Sequence, residues 1–154
     1  MYVNSSIFIA NDQVSEDDMY SDIIHEIAHA IEEERGSEIY SDGKIEKEFL
    51  LKRKKLWKIL SNQGYKVDLK HFLETELNLK FDNFLYNIVG YDILTPLTVG
   101  LFYSPYAATS LREYFANGFE AIYYDREMSR LSKVSPTLAS KIKQLILTAE
   151  EEEY

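Results

Sequence analysis

No cysteine occurs in the chain, which removes disulfide frameworks, thiol nucleophiles and Cys-based zinc or iron–sulfur sites together. Any metal site must draw on His, Asp and Glu, and histidine is itself scarce, with three in 154 residues. Basic side chains are in deficit: 17 Lys and Arg stand against 26 Asp and Glu, a formal charge of −9. That balance argues against nucleic acid as a partner, because a polyphosphate would be repelled overall. No apolar run approaches the roughly 20 residues that span a bilayer, and Met1-Tyr2-Val3-Asn4 lacks the basic start and apolar core of a secretion signal. The expectation is a cytoplasmic or otherwise intracellular protein without a membrane partner, with delivery by another route left open. What is present, 45% hydrophobic and 28% charged residues, fits one globular domain over 1–154.

Local signals predict an α+β chain that is mostly helical. The run Ile7-Phe8-Ile9 inside 2–10 reads as one short strand stopped by Asn11-Asp12. Ser15 and Asp18 form a capping-box pattern before a helix over 16–35, which Gly36 should close. A second helix is predicted over 44–62, ended by Gly64, with Lys52 to Lys55 on its outer face. Two shorter helices follow over 68–78 and 81–89, the second equally readable as a strand. Pro96, Gly100 and Pro105 make 90–106 a long apolar loop. A strong amphipathic helix is predicted over 110–132, and Ser135-Pro136 should cap a last helix running to 149, beyond which Glu150 to Glu153 should fray.

The chemistry concentrates in His25-Glu26-Ile27-Ala28-His29, an H-E-x-x-H sequence inside the best-defined helix. Positions four apart lie about 40° apart around a helix, so both imidazoles can face one Zn²⁺ with Glu26 beside them. Zinc lowers the pKa of bound water toward about 7, and Glu26 is then the general base for attack on an amide carbonyl. Two of three histidines falling at this spacing, among Ile23, Ile24, Ile27, Ala28 and Ile31, make a chance arrangement hard to sustain.

A catalytic zinc takes three protein ligands, and the third must come from elsewhere in the chain. Ala30 to Arg35, directly after His29, supply neither Gly nor His, Glu46 and Glu48 sit among lysines and read as solvated, and His71 beside Phe72 and Leu73 reads as a partly buried structural residue. Glu113 is the best candidate. Leu111, Phe115, Phe119 and Ile122 make an apolar stripe, while Glu113, Asn117, Glu120 and Tyr124 share another face of the same helix. Gly118 would allow close helix approach, and Asn117 or Glu120 could hold a ligating imidazole from behind. Ser110 to Glu113 also reads as a capping box that needs no metal.

His25-Glu26-Ile27-Ala28-His29, then Tyr106-x6-Glu113-Tyr114-Phe115-Ala116, then Ser135-Pro136 and a closing apolar helix together resemble the catalytic domain of anthrax lethal factor and the related clostridial Pro-Pro endopeptidases. Those are gluzincin-type zinc metalloendopeptidases of zincin-like fold. The resemblance implies His25, His29 and Glu113 as zinc ligands, Glu26 as general base, and Tyr106 as the group that stabilises the oxyanion or assists the leaving amine. It also implies a small sheet edging the cleft, where Ile7, Phe8 and Ile9 would pair with an extended protein or peptide substrate. The pattern Glu113-x-x-Ala116-Asn117-x-Phe119 is similar as well to intracellular ImmA/IrrE-type metallopeptidases that cut a regulatory protein. A third expectation, from a different class, is a non-catalytic zinc-binding interaction protein whose seven basic residues over 44–58 meet an acidic partner.

Overall fold

The computed structural model describes residues 2–3, 6–7 and 15–152. Strands β1 (Tyr2–Val3) and β2 (Ser6–Ile7) pair antiparallel, Tyr2 opposite Ile7 and Val3 opposite Ser6. The predicted single strand is therefore a hairpin as far as residue 7, and the substrate-pairing positions Phe8 and Ile9 lie outside the described residues. The hairpin rests against α1 (Glu16–Tyr40), and the rest of the described chain is helical or connecting. Helices α2 (Lys44–Asn62), α3 (Leu69–Phe72) and α4 (Leu79–Asn83) follow. A wider helical segment, Phe84–Gly90, leads into α5 (Tyr91–Thr98), and then come α6 (Leu111–Tyr123), α7 (Met128–Val134) and α8 (Pro136–Glu152).

Ser15 caps α1 as its sequence predicts, its Oγ accepting from the Asp18 amide at 3.2 Å. Gly36 does not end the helix. The backbone kinks at Arg35 (φ −111°, ψ 19°) and the helix resumes, because Ile39 beyond the kink is fully buried and Tyr40 turns back to donate to Glu32. Burial of one large apolar side chain, about 2 kcal/mol, outweighs the roughly 1 kcal/mol that a helical glycine costs.

Helix α2 has the predicted ends, but its basic run is not all an outer face. Lys52 and Arg53 are buried. Lys52 Nζ donates to Leu101 O, Val134 O and Ser135 Oγ, and burial lowers its pKa to about 8. Arg53 donates to Ala108 O, Thr109 O and His71 O, with its guanidinium 4.0 Å above the Phe81 ring. Long basic side chains bury their stems readily when the charged tip finds carbonyls, so the face proposed for an acidic partner loses two of its residues. Glu48 is not simply solvated either: it accepts from Tyr114 Oη and from the Thr137 and Leu138 amides, and so caps α8 in place of Ser135, whose hydroxyl is taken by Lys52. His71, by contrast, is exposed.

The region between α2 and α6 departs most from the sequence reading. Only Leu69–Phe72 of the predicted helix over 68–78 forms, the ambiguous 81–89 segment is helical, and α5 occupies part of the predicted loop with Pro96 inside it. Gly90, at φ +86°, supplies the left-handed residue that separates α5 from the segment before it. Phe72, Phe81, Leu85, Val89 and Leu94 from this region join the core, which gives these short helices their tertiary support. The long helix predicted over 110–132 is broken into α6 and α7, with Arg126 in the left-handed region (φ +60°) at the break. Helix α8 continues to Glu152, past the predicted fraying point.

Gly118 does allow a close approach, but of α6 to α8 rather than to α1. A Cβ there would lie 2.5 Å from Leu138 Cδ2 and 2.9 Å from Leu138 Cγ. Gly118→Ala is therefore expected to destabilise the fold by about 1–3 kcal/mol, the usual cost of overpacking. Urea unfolding checks this; an unchanged or raised midpoint would mean that Leu138 moves aside freely.

Candidate metal centre

Helices α1 and α6 pack together and set three side chains against one another. Ala28, fully buried, and the half-buried Ile24 and Ile31 turn one side of α1 into the core, which leaves His25 and His29 one turn apart toward α6. Ser110 caps α6 by accepting from the Glu113 amide at 3.2 Å. The capping pattern is thus real at the backbone, yet the Glu113 carboxylate does something else. Its Oε2 lies 3.1 Å from His25 Nε2 and its Oε1 lies 3.4 Å from His29 Nε2. The two Nε2 atoms are 3.1 Å apart, with the imidazoles edge to face at 85°.

His25, His29 and Glu113 each offer a ligand atom, all within 4.8 Å of one another. Glu113 Oε2 is buried and, although 3.1 Å from His25 Nε2, lacks a well-aligned donor, so an anionic lone pair is aimed at the space the two nitrogens share. Two ring nitrogens facing each other at 3.1 Å gain nothing by it unless a proton or a cation lies between them. Two imidazoles and one carboxylate without thiolate are a donor set suited to Zn²⁺ with an open position. By donor chemistry and by the stranded oxygen, these residues fit a divalent cation.

The outward nitrogens are held as well. His25 Nδ1 is 2.9 Å from Glu120 Oε1, and His29 Nδ1 is 3.4 Å from Glu32 Oε2. A carboxylate behind a ligating imidazole fixes its orientation and keeps the inward nitrogen available. Asn117, predicted as an alternative holder, stands one step further back: its Nδ2 donates to Glu120 Oε2 and its Oδ1 accepts from Ser104 Oγ. Glu32 escaped the sequence reading because it opens the acidic run Glu32-Glu33-Glu34. Its spacing, seven residues from His25 and three from His29, would have placed it on the histidine face.

Charge separates sharply here. Burial alone would lower the His25 pKa, but the Glu113 and Glu120 carboxylates at its two ring nitrogens raise it to about 10. Burial alone would raise the Glu113 pKa, but the two imidazoles bring it down to about 2. The metal-free cluster therefore holds protons that a cation must displace. Because His25 is protonated below about pH 10 and Glu113 is ionised above about pH 2, zinc affinity is expected to rise with pH across 6–8, about tenfold per unit for each proton released. Chelator competition at several pH values checks this, and a flat profile would contradict it.

Glu26 follows His25 directly and has a buried carboxylate oxygen. Tyr106 sits on a tight turn, Pro105–Ala108, with its ring centre 6.1 Å from that of His25 and 39% of its surface exposed. The turn is anchored from two directions. Ser104 Oγ bonds to Asn117 on α6, and the buried Arg53 holds the carbonyls of Ala108 and Thr109. Burial and the nearby Glu113 charge push the Tyr106 pKa up, so its hydroxyl stays a donor at neutral pH.

The chain matches no family model, no curated protein and no solved structure. Among the described residues, no helix is long and apolar enough to cross a membrane.

Proposed function

We propose that this chain is a zinc-dependent endopeptidase of gluzincin type, hydrolysing a peptide bond within an extended segment of a protein. The observation that carries this reading is the convergence of His25 Nε2, His29 Nε2 and the Glu113 carboxylate, each imidazole backed by a further carboxylate. Zinc, when bound, supplies Lewis acidity toward a carbonyl and makes water acidic near neutral pH. Glu26, next to a ligand on the same helix, takes the proton of the attacking water and passes it to the leaving amine. Tyr106, protonated and partly exposed, donates to the carbonyl oxygen as it gains charge. Ile7, exposed on β2, is the described member of the segment proposed to pair with an extended substrate.

Cleavage of a peptide library by the zinc-loaded protein tests the proposal. The expected result is cutting that a chelator stops, that zinc restores and that Glu26→Gln lacks. A zinc-loaded protein that cuts no peptide, with Glu26→Gln indistinguishable from wild type, would favour the non-catalytic zinc protein instead.

A further inference from the structure

Glu32, already placed behind His29, also makes bonds to Arg112 and Tyr40 that the chemistry described so far does not use. Glu32 is 6% exposed, and each of its oxygens is occupied. Oε1 accepts from the Tyr40 hydroxyl; Oε2 accepts from Arg112 Nε at 2.8 Å and lies 3.4 Å from His29 Nδ1. A nearly buried carboxylate must be compensated, and here two of its three partners belong to segments whose positions decide the metal site. Arg112 immediately precedes Glu113 in the first turn of α6. Tyr40 stands eight residues after Glu32, beyond the kink at Arg35. In a straight helix that separation is about 12 Å of rise, so the kink at Arg35 is what lets the tyrosine close onto the carboxylate.

We infer that Glu32 is a positioning residue that straps the two ligand-bearing helices together: through His29 Nδ1 it aims one imidazole, and through Arg112 it fixes the start of α6 from which Glu113 reaches the same point. The inference rests on the proposed metal site and assigns Glu32, Arg112 and Tyr40 a part in holding it. An ordinary surface ion pair would not do this, since exposed pairs contribute little. The difference lies in the burial of Glu32 and in its simultaneous contact with a ligand histidine. Arg112 itself is more than half exposed, with 56% of its side chain accessible, so replacing it leaves no cavity and tests the strap without disturbing the core.

Zinc dissociation constants, read by chelator competition, and Co²⁺ absorption spectra are measured for wild type, Glu32→Gln, Arg112→Gln and the double variant, alongside melting of each metal-free protein. Glu32→Gln is expected to weaken zinc binding about 10- to 100-fold, the usual cost of losing a carboxylate behind a ligating histidine. It should also alter the Co²⁺ ligand-field bands. Arg112→Gln is expected to weaken binding less, and the double variant should match Glu32→Gln alone, because Arg112 acts through Glu32. If the variants lower metal-free stability but leave the zinc constant and the Co²⁺ spectrum unchanged, Glu32 is merely structural and the inference falls, with the metal site intact. Failure of wild type to bind zinc would overturn the metal site, and the strap with it.

Discussion

Glu26→Gln is expected to bind zinc as tightly as wild type and to lose about 10²- to 10⁴-fold in peptidase rate, the range that a general base contributes. The two effects separate because Glu26 is absent from the cluster of ligand atoms, which comprises His25, His29 and Glu113. Glutamine keeps the size and a carbonyl acceptor but cannot take a proton near neutral pH. Metal content and rate measured on the same preparation decide the matter. Loss of zinc in Glu26→Gln would move Glu26 into the ligand set, and unchanged activity would remove it from the chemistry.

The second large effect is expected at Glu113→Gln. Loss of a carboxylate behind a ligand typically costs 10- to 100-fold in metal affinity, so loss of the anionic ligand itself should cost on the order of 100-fold or more. The folded state should survive, because Ser110 caps the Glu113 backbone amide rather than its carboxylate. The same substitution removes one of the two charges that hold the His25 pKa near 10, so His25 should titrate lower in the metal-free variant than in wild type. Zinc competition and NMR titration of the imidazole read the two consequences separately. Full zinc affinity in Glu113→Gln would leave the cap as this residue's whole role.

The placement of His25 and His29 on one helix face was legible in the sequence because its signals are local. The H-E-x-x-H spacing needs only a helix, and the Ser15 cap with the apolar residues after it provides one. Glu113 was legible by elimination and by its place on a polar helix face. Elements whose form depends on distant contacts were not legible. Gly36 looks like a terminator until Ile39 is seen in the core. Pro96 looks like a helix breaker, yet α5 forms around it, its buried Leu94 joining the core.

Polar residues misled in the same way. Lys52, Arg53 and Glu48 look like the solvated side of an amphipathic helix, and only the fold reveals the carbonyls of Leu101, Ala108 and Val134, and the α8 amides, that receive them. The consequence reaches the site. Arg53 on α2 and Asn117 on α6 together hold the turn that carries Tyr106, so a buried arginine far from the histidines in sequence helps to set the position of that tyrosine.

The most direct test of the central claim is the zinc stoichiometry of the purified chain, measured by equilibrium dialysis with elemental analysis for wild type and for His29→Ala. The geometry of His25, His29 and Glu113 predicts one zinc per wild-type chain, and none retained by His29→Ala at the same free zinc. Wild type without zinc, or His29→Ala with as much as wild type, would contradict it.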